Sequence, residues 1–508
     1  MKIIFDTLFA IIISISFYEN FKTYFIEKVE LKNCSKVDEI IENLTKIELI
    51  PKLNETKSYK YWPIIIDKWN PLGNLRTHKR VLNRLGYEMV DGFEGDWSDV
   101  TGLLWSNEYP YDKLLHIVAN KTFSKNLKLN HIPGIVPLIN KRTLSLYSKS
   151  KYTLPAFRMP EDIQKFDNYV ANNPKAKFVL KNFDNRGVSI KSVEEIRKMK
   201  LNHNRFIQVF LDDPFLVHGH AFDIGVYVLI TSLDPLIIYR FKNDCLFRFC
   251  LEPYYPFDAN NTNKYVVSNT KRYMWEMPPF LGIERQFPHL KLVEEVFESS
   301  GHDVKQLWSR LENAIVTTIL DRYETMRKEF HQHCAIYKCI NDNFFELLRF
   351  DFMVKNDGRV HLLEVNMSPS MTPNKPQYER HADFYEQVVY NALRVVGAEG
   401  FAMFKDDIDK HPMTSIYENL AVDYNNCKNC LKSCASPSCS HCVNCMPPDI
   451  IRILHKSHRE HQRHGKFKRI FPSRVYENDT ESIKLMTPKT KLLNEWFNNK
   501  CKDESEWC

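Results

Sequence analysis

Apolar and polar positions along the chain define two runs, FFELLRFDFMV and VHLLEVNMSPSM, that flank the turn KNDGR between Phe344 and Met371. Asp357-Gly358 in that turn is a hairpin signal of type I′, a turn that needs positive φ at both central residues. With those two residues as the turn, Asn356 pairs with Arg359. Counting outward then sets Asp351 opposite Glu364 and Met353 opposite Leu362, with Asn366 on the face of the two carboxylates. Carboxylates facing each other among apolar neighbours repel. A cation removes the conflict. Two carboxylates with a carboxamide oxygen suit a hard ion such as Mg²⁺, which leaves its other positions to water and substrate phosphates.

The rest of the pattern places further elements around this hairpin. Tyr59–Trp69 is an apolar run before a basic segment, Arg76–Arg84, and Gly102–Tyr111 predicts a buried strand leading into a loop. Pro133-Gly134 marks a turn, and a helix is predicted to start near Asn140. KFVLKN predicts a short strand with Lys181 at its end, where an ammonium can grip phosphates, and RFIQVFLDDPFLV a strand that Pro214 terminates. Phe222–Tyr239 predicts two strands joined at Asp234-Pro235, with Asp223 at the start and Arg248 in the strand that follows; Lys305–Phe330 has helical period. These elements divide the chain into a small α/β domain at 58–145, a central domain at 146–210 and a larger one at 211–400.

Both ends have a different texture. Ile3–Phe17 is apolar apart from Asp6, shorter than the roughly 20 residues of a spanning helix unless Tyr18–Ile26 extends it. We read 1–28 as a membrane anchor or signal-like segment and 29–57 as a stem. The lysines after it favour a single-pass protein with a cytoplasmic body; the glycosylation sequons at Asn33, Asn43 and Asn54 would suit a lumenal one, but so Asn-rich a chain carries such tripeptides by chance, and the cytoplasmic reading is kept. Residues 401–508 form a Cys-rich and basic extension. In it Cys427, Cys430, Cys434, Cys439, Cys442 and Cys445 surround His441, a set for Zn²⁺ in a reducing compartment or for three disulfides in a lumen. Arg452–Arg469 is basic and His-rich on a helical pattern. At 508 residues, 44% hydrophobic and a formal charge of +7, the chain is globular and demands no nucleic acid, while an acidic partner is compatible with it.

The strings LLWSNEYPY, LNHIPGI with NKRTL, FVLKN, IQVFLDDPFLV, FDIGVYVLITSLDPL with LFRF, and FELLRFDFMV with LLEVNMSPS together resemble the tubulin tyrosine ligase-like family over about Gly102–Ala398. The resemblance implies an ATP-grasp fold of the α/β class and ligation of an amino acid, glutamate above all, to acidic tubulin tails through an acyl phosphate. It implies Mg²⁺ at Asp351, Glu364 and Asn366, and ATP phosphates at Lys181. It further implies an adenine-contacting hinge at Gln208, Val209, Phe210 and Leu211, a nucleotide site lined by Asp223, Ser268 and Asn269, and Arg248 facing the incoming amino acid's carboxylate. An activating protein partner is compatible with such an enzyme. Three positions depart from the pattern. Ala221 stands where the family has Lys, Gly225 where it has Arg, and Val266 where it has His. With two cations missing, two readings stay open: an active ligase and a nucleotide-binding pseudoenzyme.

Overall fold

The computed structural model describes residues 59–64, 75–89, 102–111, 127–182, 188–199, 205–267, 272–281, 289–371, 381–398 and most of 427–503. The apolar stretch Ile3–Phe17, the turn after Lys181 that contains Gly187, and Ser268 with Asn269 lie outside them. No helix among the described residues is long and apolar enough to cross a membrane.

The fold is mixed α/β, and the described residues form three sheets. The first is parallel, in the order β2-β1-β3-β4, formed by β1 (Tyr59–Ile64), β2 (Tyr87–Met89), β3 (Gly102–Ser106) and β4 (Leu127–Leu129). The basic segment Arg76–Arg84 is the helix between its first two strands. The second sheet is antiparallel, β5-β8-β6-β7, formed by β5 (Ala156–Arg158), β6 (Phe178–Asn182), β7 (Val188–Lys191) and β8 (Arg205–Val209). Sequence pattern ran this last strand on to Pro214, but it stops at Val209. The chain beyond crosses to the hairpin tip instead, where Phe215 N–H donates to Val354 O at 2.8 Å and Asn356 N–H to Asp213 O at 3.0 Å.

The third, seven-stranded sheet carries the core. Its axis is β9 (Phe222–Leu233), all twelve residues of which are buried. Along one edge of β9 run β11 (Leu246–Phe249) and then β10 (Leu236–Phe241); along the other runs β13 (Glu346–Val354), followed by β14 (Val360–Met367). A strand buried on both faces reads as a continuous apolar run, and its period of two sends alternate residues into different cores. Ile224, Val226, Val228 and Ile230 pack with Leu311, Ile315 and Ile319 of the long helix Val304–Tyr337. Tyr227 and Leu229 pack with Phe384, Val388 and Leu393 of the helix Ala382–Val396.

The hairpin differs in detail from the predicted one. Asp351 does pair with Glu364, but Val354 pairs with Val360 and Met353 with His361, not Leu362. The tip is a longer loop in which Lys355 N–H donates to Arg359 O at 2.8 Å and Gly358 N–H to Lys355 O at 2.9 Å, so Asn356 does not pair with Arg359. Only Gly358 in it has positive φ, +77°, which excludes type I′. A β-bulge at Leu363 then restores the register, between the pairs Phe352–Leu362 and Asp351–Glu364. Two one-residue shifts therefore cancel before the carboxylates are reached.

The stretch after residue 400 contributes to the same sheet. Of the basic run predicted as helical, only the helix Pro448–Gln462 is so; Phe467–Phe471 is β15, antiparallel to β10. Nor is its polar face wholly solvated: Lys456 Nζ lies 3.0 Å from Asp342 and donates to Thr231 O at 2.9 Å. Trp496, on the helix Pro488–Asp503, is fully buried in the core with Phe384. The six clustered cysteines pair as Cys427–Cys442, Cys430–Cys439 and Cys434–Cys445, the arrangement set out above for a lumen. A sulfur held in an S–S bond has no thiolate to give Zn²⁺.

Candidate active site

The charged groups picked out from sequence meet on one face of the third sheet because residues paired across an antiparallel ladder share a face. Asp223 lies opposite Arg248, and Asp351 lies opposite both Gly225 and Glu364. Arg248 grips Asp223 with both arms, Nε to Oδ1 at 2.8 Å and Nη2 to Oδ2 at 2.6 Å, and its Nη2 also reaches Asp351 Oδ2 at 2.8 Å. Arg248 is thus committed to two carboxylates at the floor of the site.

A second guanidinium completes the floor, and sequence reading had missed it. Arg349 donates from Nε to Asp351 Oδ1 at 2.6 Å and from Nη2 to Oδ2 at 2.9 Å, a bidentate pair in which both side chains are buried. Against the desolvation that burial imposes, Arg349 and then Arg248 hold the Asp351 carboxyl down to about 2. Burial raises Asp223 above the ordinary carboxylate range, opposed by Arg248. The signal for Arg349 was present: in RFD it stands two residues before Asp351, on the same face of a strand.

Glu364 and Asn366 form the outer corner. Asn366 Nδ2 lies 2.8 Å from Asp351 Oδ2 and 3.1 Å from Glu364 Oε1, so the three side chains predicted to hold magnesium do converge. Asp351 takes three hydrogen bonds, two from Arg349 and one from Asn366, beside its ion pair with Arg248. Turning the Asn366 amide over would free one acceptor position and present Oδ1 to the same point, so the donor set fits a hard, oxygen-seeking cation. Lys141, the first residue of the helix that Asn140 caps, bridges to Glu364 Oε2 at 2.6 Å. No sequence pattern pointed to Lys141, which lies more than two hundred residues from its partner in the chain.

The second sheet supplies the opposite wall. Lys181 Nζ donates to Gln208 Oε1 at 2.6 Å, and Gln208 Nε2 donates to Leu154 O at 3.1 Å. Burial pulls Lys181 down to about 8; the charges of Glu364 and Lys141 also act on it, so the two walls face one another. Val209 and Leu211 are buried, and Phe210 packs edge-on to Tyr265 with ring centroids 5.6 Å apart, so the predicted hinge is apolar. Arg248, Arg349, Lys141 and Lys181 outnumber Asp223, Asp351 and Glu364 by one, and a cleft left positive in this way suits a polyphosphate.

The sequence profile of the Tubulin-tyrosine ligase family matches residues 124–402, more than half of the chain and every residue of this site named above. The chain belongs to that family. It is 28% identical over 452 residues to the probable tubulin polyglutamylase ttll-15 of Caenorhabditis elegans, an alignment covering 86% of this chain and 84% of that relative. It is 26% identical to the mouse tubulin polyglutamylase TTLL6 and 27% identical to mouse TTLL7, over 60% and 59% of this chain. It spans only 37% and 34% of the length of those two proteins.

For this member of the family the departures acquire a physical meaning. A Cβ at Gly225 would lie 2.9 Å from Arg349 Cδ, 3.2 Å from Asp351 Oδ1 and 3.2 Å from Leu246 Cβ. Arg349, arriving from the neighbouring strand, thus brings a guanidinium beside the position at which the resemblance places an arginine. Ala221 sits in different surroundings. It is fully buried in an apolar cluster with Ile190, Cys250, Tyr254 and Tyr265.

Proposed function

We propose that this chain is an ATP-dependent carboxylate–amine ligase of ATP-grasp architecture that adds glutamate to acidic tails of tubulin, the substrate named in its relatives. The observation that carries the reading is the convergence of Arg248, Arg349, Lys141 and Lys181 on the Asp351, Glu364 and Asn366 corner, between two sheets. Lys181 and Lys141 hold the phosphates of ATP, and the Gln208–Leu211 wall receives its base. Asp351, Glu364 and Asn366 hold Mg²⁺, which neutralises phosphate charge when bound. The γ-phosphoryl group passes to a side-chain carboxylate of the acceptor, releasing ADP. The amine of glutamate then attacks the acyl carbon, phosphate departs, and the amine gives up a proton as the amide forms. Cations fixed in a partly dry cleft stabilise the charge that develops on the transferred oxygens. The test is incubation of the purified chain with labelled glutamate, ATP, Mg²⁺ and microtubules. Incorporation that depends on Glu364 supports the ligase, and ATP binding without incorporation or ADP release supports a second reading.

That second reading is a nucleotide-binding pseudoenzyme that recognises acidic tails. Its specific support is Ala221, whose enclosure by apolar side chains leaves no path for a lysine at that position. The bidentate hold of Arg349 on Asp351 also competes with a metal for the same oxygens.

A further inference from the structure

We propose that the body of this protein folds in an oxidising, glycosylating compartment and carries an N-linked glycan at Asn260. Two independent features lead there. The first is the state of the cysteines. Besides the three disulfides of the 427–445 segment, Cys334 pairs with Cys339 at the end of the long helix, and Cys501 is disulfide-bonded as well. Cys245 and Cys250 are the free thiols among the described residues, and both are buried, Cys245 in the core under the long helix and Cys250 in the cluster around Ala221. Every described cysteine placed where it could be oxidised is therefore paired. A zinc site accounts for one such cluster but not for pairs at three separate places in the fold.

The 427–445 segment makes the dependence sharper. Its buried cluster among the described residues consists of Cys430, Cys439 and Cys442, with Cys427 and Cys445 packed against it. A segment that short cannot bury enough apolar surface to offset its conformational entropy, so the crosslinks carry most of its cohesion. Reduction removes that support.

The second feature is Asn260-Asn261-Thr262, a sequon in an exposed turn. Asn261 is committed: its side chain accepts from Asn263 N–H at 3.2 Å and donates to Glu252 Oε2 at 2.8 Å. Asn260 is different. Its backbone N–H is held by Asp258 Oδ1 at 2.9 Å, which fixes the turn, while its side chain and that of Thr262 are solvent-exposed. A glycan on its amide nitrogen starts from a side chain already in solvent. Asn366-Met367-Ser368 is also a sequon, but Asn366 is bonded to Asp351 and Glu364, and Ser368 Oγ lies 3.2 Å from His131 Nε2. It serves as the internal control, unmodified in the folded protein.

The inference goes beyond the ligase chemistry and bears on its address. It rests on the cysteines and the sequon and not on the ligase reading, which purified tubulin tests in vitro. The test uses the full chain expressed in animal cells, purified, and alkylated under denaturing, non-reducing conditions before peptide mapping. The expected result is a glycosidase-sensitive mass on the Asn260 peptide, lost in Asn260→Gln, with the Asn366 peptide bare. Of the cysteines named here, Cys245 and Cys250 alone are expected to be labelled before reduction. An unmodified Asn260 peptide overturns the proposal. So does alkylation of Cys427–Cys445 without reductant, whether or not about one zinc per chain is bound. These readouts are masses, so an inactive but glycosylated chain removes the ligase reading alone, and an active chain with free thiols removes this one alone.

Discussion

Gly225→Arg restores the residue that the family resemblance expects, and the structure predicts that it does harm. The new Cβ would meet Arg349 Cδ at 2.9 Å, and the rest of the side chain has to occupy the volume that Arg349 fills. Arg349 must leave, or the strands must part. Overpacking of this kind costs about 1–3 kcal/mol. Displacing Arg349 from buried Asp351 adds about 3 kcal/mol, the low end for breaking a buried pair, because Arg248 still holds one oxygen. The sum is about 4–6 kcal/mol, a large share of the stability of an ordinary domain and a fall in Tm on the order of 10 °C. Arg349→Gly alone should cost about 3 kcal/mol by loss of the pair. The double variant Gly225→Arg with Arg349→Gly should recover most of both losses, since the cation then approaches Asp351 from β9 through vacated space. A double-mutant cycle by urea unfolding, with ATP affinity measured in parallel, should give a coupling of about 2 kcal/mol or more. If Gly225→Arg melts like the parent protein, or the double variant is no more stable than the weaker single one, the exchange of positions is wrong.

Four further outcomes follow from the site. Glu364→Gln should abolish the Mg²⁺ dependence of ATP affinity while leaving Tm nearly unchanged, because it removes a half-exposed charge and keeps the shape; unchanged Mg²⁺-linked binding removes the metal assignment. Lys181→Ala should lower turnover by about two to three orders of magnitude, the value of a charge-assisted phosphate contact in a desolvated site. Burial holds Lys181 at about 8, so its charge is present below that pH and lost above it: ATP affinity should fall as pH rises through about 8, and Lys181→Arg should flatten the profile. Lys141→Ala should weaken ATP binding by roughly tenfold without loss of fold, since its side chain is half-exposed at a helix start, and unaltered affinity in titration calorimetry would remove it from the phosphate site.

What the sequence by itself determined is local and periodic. Apolar runs placed β9, β10, β13 and β14, Asp234-Pro235 marked the corner between β9 and β10, and Asn140 announced the helix that begins at Lys141. The face shared by Asp351, Glu364 and Asn366 was legible because side chains on a strand repeat every two residues. Its correct pairing was partly fortunate, since the longer loop at Gly358 and the bulge at Leu363 each shift the register by one and in opposite directions. Only the tertiary structure decided which cation stands over Asp351. Gly225 and Arg349 are far apart in the chain, and their contact exists because β13 docks on β9, so each alone reads as a loss or as an unremarked arginine. The same holds for Lys141 on Glu364 and for the cysteines: six admit fifteen pairings, and spacing cannot choose among them. Short-range sterics write periodicity into the sequence, whereas a contact between distant strands depends on how all the intervening elements pack.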